Sequence, residues 1–170
     1  MTTTFAYLGP EGTFTEEAAI LYDSSITRIP EPSIVRVGAA VVEDPHKKGI
    51  IPIENSLEGP VTYSQDLLIN NPTLLIEGEV VLPINHYLIT KPSTSVEEIE
   101  SIYSHPQSLG QCKNYLQAHF PEVEQIASLS NATAVTTMLA DASPCAAIGP
   151  KRTAEIYNGK IVDSKIQNQD

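Results

Sequence analysis

The chain has 170 residues, 41% of them hydrophobic, and a formal net charge of −11. A chain of that length and apolar content folds, either as one domain or as two small lobes, and is not a disordered segment. With only 10 Lys and Arg residues it offers no basic face for nucleic acid, whose phosphates require one.

Residues 1–12, "MTTTFAYLGPEG", lack the basic-then-apolar order of a signal peptide, so the expected location is the cytoplasm. No apolar run approaches the roughly 18 residues of a membrane span, and no membrane partner is expected. Phe5 to Leu8 reads as a short buried strand closed by Gly9-Pro10. A glycine-containing turn follows, and Thr13 with Glu16 fits a capping box opening a helix that places Ala18, Ala19 and Tyr22 on one face. The turn has neither GxGxxG nor P-loop spacing, so no nucleotide is implied. Ile26 to Ile29 forms a second candidate strand, and Ser33 caps a helix that Asp44-Pro45 ends.

Residues 49–68, "GIIPIENSLEGPVTYSQDLL", are expected to run as an apolar strand into Glu54-Asn55-Ser56, with a helix from about Pro60 to Asn70. Leu74 to Leu82 and Ile84 to Thr90 read as two extended segments crossing between lobes. Thereafter the unit strand, polar turn, helix recurs. Ile102-Tyr103 leads into Ser104 to Gln107 and a helix from Ser108 to Phe120. Val123 to Ala127 leads into Ser130-Asn131 and a helix from Ala132 to Asp141. Cys145 to Ile148, a helix from Lys151 to Tyr157 and a last strand from Gly159 to Val162 complete the chain. This alternation predicts an α/β fold with mostly parallel strands.

Four turns share one chemistry: Gly12-Thr13, Glu54-Asn55-Ser56, Ser104-His105-Pro106-Gln107 and Asn131-Ala132-Thr133. A single Ser or Thr before a helix is accounted for as a cap. Four such turns, each between a strand and a helix, point instead to a ligand edge supplied with hydroxyls, amides and helix N–H groups. Backbone donors of that kind hold an anion without basic side chains. Ser104 and His105 are not a nucleophile and its base, because sequence neighbours rarely face each other and no GxSxG elbow is present. Cys112 and Cys145 have no CxxC or Cys/His spacing and are expected as inert core thiols. The histidines show no HExxH pattern, so no metal site is expected.

Taken in order, "GPEGTFTEEAA", "PIENSLEGPV", "SHPQSLGQC" and "AAIGP" resemble the prephenate dehydratase family over essentially the whole chain. The resemblance implies two Rossmann-like α/β lobes around a cleft, similar to type II periplasmic binding proteins. It implies residues 1–80 plus 163–170 in the first lobe and 81–162 in the second. The implied activity is the decarboxylating dehydration of prephenate to phenylpyruvate in phenylalanine biosynthesis, without cofactor, in a homodimer or larger assembly. Related arogenate dehydratases share the motifs, and a non-catalytic two-lobed ligand-binding module is the alternative from another class. Carried over residue by residue, Asn55, Ser104 and Gln111 support catalysis. Thr13, Glu54, Ser56, Gly59, His105, Gln107 and Thr133 bind substrate. The family's acid is a threonine in a Thr-Arg-Phe segment that follows an "IQNQD"-like region, and an ACT regulatory domain comes after it. Neither is spelled in these 170 residues, so the resemblance implies a chain with weak or no turnover by itself.

Overall fold

The computed structural model describes residues 3–57 and 59–168. They fall into two compact units, Met1–Leu82 and Pro83–Asp170. In the first unit three parallel strands, β1 (Thr4–Leu8), β2 (Thr27–Glu31) and β3 (Lys47–Ile50), lie in the order β2-β1-β3. Three helices accompany them: α1 (Phe14–Tyr22), α2 (Ile34–Glu43) and α3 (Thr62–Asn70). The middle strand carries Phe5, Ala6 and Tyr7, each at most 2% exposed, as a central strand packed by helices must. Val37 and Ala40 of α2 close over Ala6. Gly38 lets α2 approach α3 where Leu67 already fills the space a side chain would need.

In the second unit five strands lie in the order β10-β6-β9-β7-β8: β6 (Tyr87–Thr90), β7 (Ser101–Ser104), β8 (Glu124–Ala127), β9 (Cys145–Gly149) and β10 (Lys160–Ser164). The sheet is mixed. β7 pairs in parallel with both β8 and β9, whereas β6 runs antiparallel to β9 and β10. All five residues of β9 are buried, and its alternation sorts the core. Ala146 and Ile148 join Leu88, Ile102, Leu116 and Phe120 on one face, which α4 (Pro106–Gln111) and α5 (Lys113–His119) cover. Cys145 and Ala147 join Ile89, Val135 and Met138 on the other, under α6 (Asn131–Ala140) and α7 (Lys151–Tyr157). Cys112 and Cys145 are free thiols inside these two clusters.

Four expectations differ from the structure. Residues 163–168 belong with the second sheet, not the first unit: Asp163 and Ser164 pair with Leu88 and Tyr87, and Ile166 is buried beside Ile102. The terminal residues 169 and 170 of that expectation lie outside the described residues. Leu74 to Leu82 forms no strand, and only Tyr87–Thr90 of the next apolar run does. Leu75, Ile76 and Val81 are 76–83% exposed, and β-prone side chains make a strand only where a partner strand receives them. The helix expected over 108–120 is two helices broken at Cys112 (φ −104°, ψ 13°). The break frees the Gln111 carbonyl, which accepts from Asn168 N at 2.7 Å.

The fourth difference concerns Glu54-Asn55-Ser56. These residues do not end a buried strand. Pro52, which has no N–H to give a ladder, follows the last paired residue of β3, and the chain turns away. Glu54–Asn55 (β4) then folds back on Gly59–Pro60 (β5) as a two-residue antiparallel hairpin.

Candidate functional site

The parallel part of the second sheet supplies one polar edge. β7 and β9 end side by side at Ser104 and Gly149, with β8 on the outer side of β7. Ser104 is fully buried. Its Oγ lies 2.9 Å from the Ile148 carbonyl and 3.0 Å from Asn131 Oδ1, and its single proton serves one of them at a time. Asn131 Oδ1 also accepts from His105 N at 3.2 Å. One side chain at the start of α6 thus ties the end of β7 to the turn before α4. Ser130 caps α6 by accepting from Thr133 N at 3.0 Å, and its hydroxyl pairs with Thr133 Oγ1 at 2.8 Å.

His105 caps α4 in the same manner. Its Nδ1 accepts from Gln107 N at 3.3 Å, which leaves Nε2 as the ring's N–H when the imidazole is neutral. Pro106 at the first helical position loses nothing, because its absent N–H would have had no partner there. At the far end of α4, Gln111 Oε1 meets Nε2 of the buried His86 at 2.7 Å. Burial holds the His86 imidazole below the ordinary histidine value, outweighing the opposing effect of the Gln111 hydrogen bond. Burial likewise pushes the Cys112 thiol up to about 12 and raises Cys145, so neither is a nucleophile.

In the first unit, Thr13 sits just past β1. Its hydroxyl donates to the Leu8 carbonyl at 3.1 Å and accepts from Glu16 N at 3.4 Å. The returning arm of the capping box lands one residue earlier than expected: the buried Glu16 carboxylate accepts from Gly12 N at 2.6 Å. In the β4–β5 hairpin, Asn55 Oδ1 accepts from Leu57 N at 2.9 Å, which closes the turn and leaves the Asn55 amino group as a donor. Gly59 has φ +82°, a conformation that costs an L side chain about 1–2 kcal/mol. Ser64 of α3 anchors the base of the hairpin by donating to the Pro52 carbonyl at 2.6 Å. Glu54 and Ser56 are exposed.

The structure therefore brings Ser104, His105 and Gln107 together with Thr133 on one edge through Asn131, and sets Gln111 at the other end of the same short helix. Glu54, Asn55, Ser56 and Gly59 share a hairpin, and Thr13 stands at a strand end of the same unit. Sequence reasoning missed His86, which looked like part of an extended crossing, and gave Asn131 no role beyond its turn. The hint for Asn131 was its position directly after the Ser130 cap. Among the described residues, no cluster of three or more His, Cys, Asp or Glu is placed to hold a metal ion, and no helix is long and apolar enough to cross a membrane.

A prephenate dehydratase family model matches residues 5–170. The chain belongs to the prephenate dehydratase family. It is 38% identical over 165 residues to a bifunctional chorismate mutase/prephenate dehydratase of Stutzerimonas stutzeri, covering 96% of this chain and 45% of that protein. It is 40% identical over 120 residues to a prephenate dehydratase of Methanocaldococcus jannaschii, covering 71% of this chain and 43% of that protein. Among solved structures it resembles the prephenate dehydratase of Arthrobacter aurescens in complex with L-Phe. The TM-score is 0.91 at 29% identity, over 98% of this chain and 56% of that one. The chain spans about half the length of the curated relatives it matches.

Proposed function

We propose that this chain is the prephenate-binding part of a prephenate dehydratase. Asn55, Ser104 and Gln111 orient the substrate, and Thr13, Glu54, Ser56, Gly59, His105, Gln107 and Thr133 complete its binding. The observation that carries the reading is the polar edge of hydroxyl, amide and imidazole groups that Ser104, His105, Asn131 and Thr133 build at the strand ends of a protein of net charge −11. Prephenate carries two carboxylates, a ketone and a ring hydroxyl. Amide and hydroxyl donors hold such a molecule without requiring a cluster of basic side chains.

In the proposed reaction the bond from the ring to its carboxylate breaks and carbon dioxide leaves. The electron pair enters the ring, the carbon–hydroxyl bond opposite breaks, and one proton converts the departing hydroxide to water. Aromatisation drives the step, and the protein's task is to hold the carboxylate and the leaving hydroxyl in register. The residues named here are assigned binding and orientation, and the proton donor is a group outside them. A cytosolic location and a homo-oligomer of two or more copies belong to the same proposal.

Thermal unfolding with added prephenate tests it. At a concentration about 100 times the dissociation constant, binding adds about 2.7 kcal/mol. In a chain of this size that raises Tm by about 5–11 °C. Asn55→Ala and Gln111→Ala are expected to lose most of the shift, and phenylalanine or sugars at equal concentration to give little. An unaltered shift in both variants refutes the assigned residues, and no shift in the parent chain refutes the ligand.

A further inference from the structure

Among the described residues His86 is the one fully buried histidine, at 1% exposure, and the proposed reaction does not use it. Its surroundings are specific. The last described residues, 166–168, run as a strap over the start of β6 and the break between α4 and α5. Ile166 N donates to the His86 carbonyl at 3.2 Å, and His86 N donates to Gln167 Oε1 at 3.1 Å. Asn168 N donates to the Gln111 carbonyl at 2.7 Å, and Asn168 Nδ2 to the Gly110 carbonyl at 3.3 Å. The strap therefore fixes the backbones of both members of the His86–Gln111 pair.

We propose that His86 is a positioning residue. Its Nε2–H donates to Gln111 Oε1 and commits the carboxamide oxygen to the protein, so that Gln111 presents its amino group to the ligand as a donor. The inference rests on the reading of Gln111 as a ligand-binding residue. The donor logic follows from atom types: a carboxamide oxygen only accepts, so an imidazole nitrogen 2.7 Å away must carry the proton. Burial disfavours the imidazolium, which leaves the neutral ring with its proton on Nε2. A carboxamide turned the other way would face an anionic ligand with its oxygen, and the two would repel.

Two measurements on the 170-residue chain test this. Nitrogen-15 NMR of the imidazole, with His86 assigned by its absence in His86→Gln, reads the tautomer directly. The expected form is Nε2–H, with Nδ1 unprotonated. Calorimetric titration with prephenate then compares three variants, each checked for a native amide spectrum. The amide nitrogen of Gln reaches the place of Nε2, that of Asn reaches only the place of Nδ1, and Leu donates nothing. His86→Gln is expected to bind within about threefold of the parent, and His86→Asn and His86→Leu to bind about tenfold or more weakly.

An Nδ1–H tautomer overturns the inference whatever the chain binds, and so does a folded Leu variant that binds as tightly as the parent. If the Leu variant does not fold, the tautomer and the Gln–Asn contrast decide. A parent chain that holds the Nε2–H tautomer but binds no prephenate refutes the proposed ligand and leaves the carboxamide orientation standing.

Discussion

Replacing Asn131 by alanine removes the one acceptor that joins the end of β7 to the turn before α4. His105 N loses its acceptor at 3.2 Å, and Ser104 Oγ loses its contact at 3.0 Å and keeps only the Ile148 carbonyl. At about 0.5–1.5 kcal/mol for each hydrogen bond the loss is about 1–3 kcal/mol. Alanine's better helix propensity at the first position of α6 returns about 0.5 kcal/mol. The expected net cost is thus about 0.5–2.5 kcal/mol. Ser104→Ala removes one of the same two bonds and also the contact to the Ile148 carbonyl, for about 1 kcal/mol. Because the Ser104–Asn131 bond is counted in both single variants, the double variant should cost less than their sum, by about 0.5–1.5 kcal/mol. Urea unfolding followed by circular dichroism measures this as a shift in midpoint at unchanged slope. Additive costs, or an Asn131→Ala cost below about 0.3 kcal/mol, refute the idea that this strut organises the edge.

Two further outcomes follow from the buried titratable groups. His86 is held below its ordinary value of 6.5 in the folded chain, so the unfolded chain takes up the proton first as pH falls. The stabilisation is complete above about pH 6.5 and is lost as pH drops towards the folded value, with a slope of at most about 1.4 kcal/mol per pH unit. Unfolding midpoints between pH 7.5 and 5 should fall more steeply in the parent than in His86→Gln. Cys112, pushed up to about 12 by burial, holds only about one thiolate in 10⁴ at pH 8. Iodoacetamide should leave Cys112 unmodified in the native chain and react once urea is added; rapid native alkylation contradicts its core placement.

The second unit was legible in the sequence because each signal there is local. Cys145 to Ile148 and Ile102-Tyr103 are short apolar runs bounded by Gly149 and Ser104, and Ser130 sits as a cap at a helix start. What was not legible depends on partners far along the chain. Leu74 to Leu82 has strand composition, yet no strand among the described residues pairs with it. The break at Cys112 is stabilised by Asn168, more than fifty residues later, and His86 acquires its meaning only from Gln111 and Gln167. For Glu54-Asn55-Ser56 the apolar run before it suggested a strand end, but Pro52 removes the donor that the ladder needs. The Asn55–Leu57 turn and the positive φ of Gly59 then form a hairpin. These residues became a separate polar feature of the first unit.

Mapping prephenate on the chain by amide NMR tests the central claim most directly. The account predicts saturable shifts concentrated at the amides of 12–13, 54–59, 104–111 and 131–133, with none at the surface of α5. Saturable shifts confined to other residues, or an unchanged spectrum at millimolar prephenate, contradict it.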